Sequence, residues 1–185
     1  MLHEIFFKSP EQKLLSLFAM NPDRSFYGRE ISKRLKVSVG AVHAALRSLE
    51  KHGLLDSQLV GKTKLYRMDV TNPIIRSLKI LNTILFLQPL AETLREVTRQ
   101  VILFGSYASG RFISSSDIDV FIVSGEREKV LRKIHSFKRK SGLDIRPIIK
   151  DQVEWMALDK ESPEFYEELG RGITLWEKPI DESGF

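Results

Sequence analysis

The chain reads as an α+β protein in two parts: helices closed by a β-hairpin, then an α/β domain with a mixed sheet. Three observations predict this. Val39, Val42, Leu46 and Leu49 are spaced 3, 4 and 3, the spacing of one helical face. From Val101 the pattern changes to strand, helix, strand, helix, strand. Three acids, Asp117, Asp119 and Asp144, stand in runs of β-branched and other apolar residues, where a carboxylate needs a partner to be tolerated.

The first element begins at Ser9-Pro10-Glu11-Gln12, which has a capping serine, a proline for the first helical position and a glutamine where a capping box needs it. The helix it starts carries Leu14, Leu15, Leu17 and Phe18 and is expected to stop at Asn21-Pro22. Ser25 is the expected cap of a second helix with Ile31 and Leu35 inside. After a turn at 36–38, Ser38 caps the third helix, and Gly53 ends it. Strands at 55–60 and 64–68, joined through Gly61-Lys62-Thr63, form a hairpin. Three helices and a hairpin in this order make a winged helix-turn-helix.

Asn72-Pro73 opens a helix that is apolar on more than one face, through Ile74, Ile75, Leu78, Ile80, Leu81, Ile84 and Leu85. Gln88-Pro89 is expected to interrupt it and 90–99 to resume it. Such a segment is a connecting helix buried between domains, a dimer interface, or both. Strands are then expected at 101–104, 118–123 and 143–149. A helix at 127–140 places Val130, Leu131, Ile134 and Phe137 on one face. The tail holds helices around 153–158 and 163–169 and a last strand, Ile173–Glu177. The expected domains are 1–70 and 100–185, joined by linker helices over 71–99.

Composition narrows the chemistry. The 185 residues include no cysteine, which excludes disulfides and thiolate metal sites. No eighteen apolar residues run uninterrupted, so no membrane span is expected. The N-terminus lacks the order of a signal peptide, and a cytoplasmic location is the expectation. The net charge of +5 is uneven: residues 1–100 hold 16 Lys and Arg against 9 Asp and Glu, while the remainder hold 13 against 15. The first part therefore suits a polyanion. On the third helix Ser38, Gly40, Ala41, His43, Ala44 and Arg47 face outward. His43 and Arg47 can reach base edges or phosphates of double-stranded DNA, and Lys62 and Lys64 on the hairpin can pair with flanking phosphates. Residues 37–55 resemble the helix-turn-helix of MarR- and ArsR-type transcription regulators, a likeness covering roughly the first 70 residues. Dimers of such domains bind paired half-sites, so a homodimer is expected.

The second part carries the acids. Asp117 and Asp119 are two apart on a strand and share one face, with Cα atoms roughly 6.5 Å apart. Such a pair can clamp two metal ions about 3.5–4 Å apart, and oxygen-only donors suit Mg²⁺. Gly105-Ser106 ends a strand and opens a short helix. Glycine permits close approach of a phosphate, and the start of a helix attracts it. Asp144, on a strand able to lie beside the first, would complete the metal site and could accept the proton of an attacking hydroxyl.

Gly105-Ser106, ten residues, then Asp117-Ile118-Asp119 is similar to the signature of the polymerase-β-like nucleotidyltransferases, above all their small stand-alone members. The likeness covers about residues 95–150. It implies that Gly105 and Ser106 hold a nucleoside triphosphate, ATP by preference. It also implies that Asp117 and Asp119 bind two Mg²⁺ ions and that Asp144 helps activate the acceptor. Many members read Gly-Ser-Tyr-Ala-Arg-Gly; this chain has Ser109 at the arginine, and Arg111 is the candidate substitute. The resemblance implies transfer of a nucleoside monophosphate to a hydroxyl acceptor, for which a partner protein is one candidate. The alternative is a transcription regulator whose second domain only senses a nucleotide or holds a partner, as an antitoxin does.

Overall fold

The computed structural model describes residues 2–179. The chain divides into two units. The first runs to Leu85 and takes in Gly110–Ser115; the second is Phe86–Ser109 together with the chain from Ser116.

The first unit comprises α1 (Leu2–Phe6), α2 (Pro10–Ala19), β1 (Phe26–Tyr27), α3 (Gly28–Leu35), α4 (Val39–Lys51), β2 (Leu55–Val60) and β3 (Thr63–Met68), and it takes in the first part of α5 (Pro73–Leu94). The expected capping box forms. The Gln12 amide donates to the Ser9 hydroxyl at 3.2 Å, and the Ser9 amide to the Gln12 side chain at 2.9 Å. Ser38 caps α4 by accepting from the Ala41 amide.

Ser25 does not cap α3. Phe26 and Tyr27 instead pair with Tyr66 and Leu65, giving an antiparallel sheet ordered β1-β3-β2. Tyr27 occupies the cap position with no side-chain cap bond. A two-residue strand is created by its partner and has no periodicity of its own to read. Leu14, Phe18, Phe26, Ile31, Val42, Leu46, Leu55, Met68 and Ile75 form one core cluster. Phe18 and Phe26 meet edge to face at 5.4 Å within it.

Pro89 does not interrupt α5, which is continuous through Leu94. A proline withholds one donor from the carbonyl four residues back and crowds it, and α5 absorbs this one turn from its end. Residues 95–99 are turn and irregular chain, not helix. By length and composition α5 could cross a membrane, its best window reaching a mean hydropathy of 1.3. It nonetheless buries polar groups that have partners. Asn82 accepts from the Ser16 hydroxyl at 3.0 Å and donates to the Ser16 carbonyl at 3.2 Å. Lys79 donates to the Phe112 carbonyl at 2.7 Å. This is the pattern of a core helix.

The second unit carries β4 (Gln100–Leu103), α6 (Gly105–Ala108), β5 (Ile118–Val123), α7 (Arg127–Ser141), β6 (Ile145–Lys150), α8 (Gln152–Glu161), α9 (Pro163–Gly170) and β7 (Ile173–Glu177). Its sheet is ordered β6-β5-β4-β7. β4 pairs antiparallel with β5 and β7, and β5 pairs parallel with β6, so the sheet is mixed as expected. Ile102, Phe104, Phe121 and Val123 pack with Leu158 and Leu169 of α8 and α9. β5 is buried at Ile118 and from Val120 to Val123, leaving Asp119 as its less buried position.

Candidate nucleotide and metal site

The site lies where β4 ends beside the start of β5. The Phe104 amide donates to the Asp119 carbonyl at 3.1 Å, which sets Gly105 against the Asp119 side chain. Gly105 has φ +69°, and a Cβ there would stand 2.9 Å from Asp119 Oδ2. Glycine is required at this point both for the left-handed backbone and for the space. Ser106 lies in the four-residue α6. Ser109, at the position of the absent arginine, turns its hydroxyl back onto the Gly105 and Ser106 carbonyls at 3.1 and 3.2 Å.

Parallel pairing of β5 with β6 brings the third acid alongside. The Ile118 amide donates to the Asp144 carbonyl at 2.8 Å, and Asp119 is in register with Arg146. Asp117, Asp119 and Asp144 therefore gather at one end of two adjacent strands. Burial, more than any charge, raises the Asp119 carboxyl above its usual pKa. Asp117 and Glu168 push the same way, and Arg146 opposes them. Asp144 is held below its usual value by an ion pair with Lys138 and, more weakly, by Asp117 and Arg146. Asp117 pairs with Arg146 at 3.4 Å. The Tyr107 phenol is raised by burial and then by the charge of Asp117.

Two carboxylates with oxygen donors only, one of them, Asp119, disfavoured as an anion by partial burial, fit a hard divalent cation. Mg²⁺ is commonly held by one or two protein carboxylates plus substrate phosphates and water. Among the described residues no three His, Asp or Glu side chains converge into a metal cage, and Asp144 is engaged by Lys138.

The sequence pattern does not single out Arg146 or Glu168, and it reads Lys138, in Lys138-Arg139-Lys140, as a solvated helix end favoured by the dipole. Arg146 lies within β6, whereas Asp144 precedes its first residue, Ile145. Arg111 is exposed and lies in the segment that belongs to the first unit.

In the first unit Ser38, His43, Ala44 and Arg47 are exposed along α4. The His43 ring lies over Gly28, where an added Cβ would come within 3.0 Å of it. Lys62 is exposed at the hairpin turn. Lys64 is bound to both Glu50 oxygens at 2.8 Å and lies over the Tyr66 ring at 5.2 Å.

Over 81 residues the chain is 37% identical to a protein of Methanocaldococcus jannaschii named a putative protein adenylyltransferase. The match covers 38% of this chain and 55% of that protein, so the chain spans about half the length of the curated relative it matches. A solved structure from Methanosarcina mazei, described as a possible transcriptional regulator, is 21% identical over 46% of this chain and 75% of that one, with a TM-score of 0.32. Another, of a putative nucleotidyltransferase from Sulfolobus solfataricus, is 17% identical over 54% and 84%, with a TM-score of 0.34. The family model described as the nucleotidyltransferase domain matches residues 87–172, a span that contains Gly105, Ser106, Asp117, Asp119 and Asp144. Residues 87–172, a little under half of the chain, are thus similar to a nucleotidyltransferase domain.

Proposed function

We propose that the second unit transfers a nucleoside monophosphate from an NTP, ATP by preference, to a hydroxyl. The observation that carries this reading is the packing of Gly105 against Asp119, with Asp117 and Asp144 on the same strand ends. Asp117 and Asp119 would hold Mg²⁺, which when bound neutralises phosphate charge and orients the α-phosphate. Gly105 and Ser106 receive the triphosphate. Asp144 takes the proton of the acceptor hydroxyl while its oxygen bonds to the α-phosphorus; the bond to pyrophosphate breaks. Lys138 keeps Asp144 ionised and so also weakens it as a base. The acceptor is a hydroxyl compound or a partner protein.

The first unit, in this reading, is a winged helix-turn-helix. Exposed Ser38, His43 and Arg47 on α4 face double-stranded DNA, and Lys62 on the hairpin faces a phosphate. Lys64 would first have to leave Glu50. Two copies pairing through α5 would present two such helices to paired half-sites.

A second reading keeps the nucleotide and drops the chemistry. It is favoured by Ser109, whose hydroxyl closes on α6 where an arginine would face a phosphate. The second unit would then sense a nucleotide for a regulator, or hold a partner.

Turnover decides between them. Purified chain with Mg²⁺, labelled ATP and candidate acceptors should release pyrophosphate and label one acceptor. Asp117→Asn/Asp119→Asn should reduce this at least about a thousandfold, the scale of losing a preorganised charge-stabilising group. Equal turnover by that variant would remove the catalytic assignment. Nucleotide binding without turnover on any acceptor would favour the sensor.

A further inference from the structure

The acids of the site are accompanied by two cations, Lys138 and Arg146. Lys138 is paired with Asp144. Arg146 acts on all three acids: it pairs with Asp117 at 3.4 Å, and its charge reaches Asp119 and Asp144. Register explains this, because Arg146 stands directly beside Asp119 on the neighbouring strand.

Its bond to Asp117 is a weak one. There is a single contact, and the arginine side chain is 71% exposed against 34% for the aspartate. Exposed pairs of this kind contribute little and open easily. A divalent ion at Asp117 competes for the same oxygens with twice the charge. Once displaced, the guanidinium has five donors in a planar fork that matches a phosphate. Around it, the carboxylates of Asp117, Asp119, Asp144 and Glu168 outnumber the cations Lys138 and Arg146, so the ion-free cluster is acidic and repels a triphosphate. A divalent ion held by Asp117 and Asp119 would offset that excess, and Asp117 would then release Arg146.

We infer that Arg146 is a phosphate-binding residue of this site, supplying the cation that Ser109 does not and exchanging Asp117 for the nucleotide's phosphate when the metal binds. Arg111, the substitute suggested by sequence, is not required. This inference rests on the nucleotidyltransferase reading.

The test is equilibrium binding of α,β-methylene-ATP with Mg²⁺ to the full chain, beside Mn²⁺ binding without nucleotide. Wild type, Arg146→Ala, Arg146→Lys and Arg111→Ala are compared, with thermal melts to confirm folding. Arg146→Ala should weaken analogue binding tenfold or more, while Mn²⁺ alone binds as tightly as before or tighter, because a competing cation has gone. Arg146→Lys should fall between, retaining charge without the fork. Arg111→Ala should bind the analogue within twofold of wild type. Analogue affinity within twofold of wild type in Arg146→Ala would overturn the inference and leave the wider reading standing, as would a loss confined to Arg111→Ala. If wild type shows no metal-dependent analogue binding, both fall together.

Discussion

At the scale of single residues, the site is built from a glycine and an acid that define each other. Gly105 has a left-handed backbone and no room for a methyl group beside Asp119. Gly105→Ala should therefore cost about 1–2 kcal/mol in backbone conformation alone and displace the Asp119 carboxylate. Denaturant unfolding should show the stability loss, and Mg²⁺-dependent nucleotide binding should weaken at least about tenfold; an unperturbed variant would contradict the packing. Asp119 also fixes a pH dependence. Its carboxyl is raised in the folded chain, so the folded state holds that proton more tightly than the unfolded state. The stability this gives is fully present below the unfolded pKa and is lost as pH rises through the folded one. Metal binding needs the ionised form and runs the other way. Mn²⁺ affinity should begin to fall, on acidification, at a higher pH than for an ordinary aspartate pair, as a titration of metal binding from pH 7 downward would show.

At the scale of elements, α5 joins a long apolar surface to a buried lysine. Lys79 is 3% exposed, donates to the Phe112 carbonyl and lies 4.3 Å over the Phe112 ring. Burial lowers its pKa, and Asp23 partly restores it. Asp23 in turn accepts from both the amide and the hydroxyl of Ser114, and Gly110 sits so close to α5 that a Cβ would meet the Arg76 carbonyl at 2.8 Å. The segment Gly110–Ser115 is thus tied to the first unit at three points, although it lies in the chain between the two halves of the nucleotide motif. Lys79→Met fills the same space without the donor and removes the bond to the Phe112 carbonyl. It should destabilise the first unit by about 1–3 kcal/mol and expose the Gly110–Ser115 segment to limited proteolysis. An unchanged unfolding midpoint and cleavage pattern would show that the lysine contributes nothing.

An element is legible in the sequence when its signal is local. β5 and β7 are readable at their observed bounds because each has flanking turns and an apolar run of its own. α4 declares itself through its spacing, its serine cap and Gly53. Tertiary pairing creates β1, and a proline near its end does not break α5, so both escape local reading. The acids are legible because charge is conspicuous in an apolar run, although Asp144 is exposed and Asp117 and Asp119 are only half-buried. Arg146 is not, because only the register of β5 with β6 shows that it stands beside Asp119, and Lys138 acquires meaning only through its pair with Asp144.

At the scale of the whole molecule, the uneven charge and the two units agree with the proposed division of labour: a basic helical part that precedes, in the chain, a part similar to a nucleotidyltransferase domain. The claim on which the rest depends is that Asp117 and Asp119 make nucleotide binding conditional on a divalent ion. The most direct measurement is calorimetric titration of α,β-methylene-ATP into the full chain, with Mg²⁺ and with chelator, for wild type and Asp117→Asn/Asp119→Asn. Wild type should bind only with Mg²⁺, and the variant should lose that binding by at least about tenfold. Equal affinity with chelator, or an unchanged variant, would contradict the account.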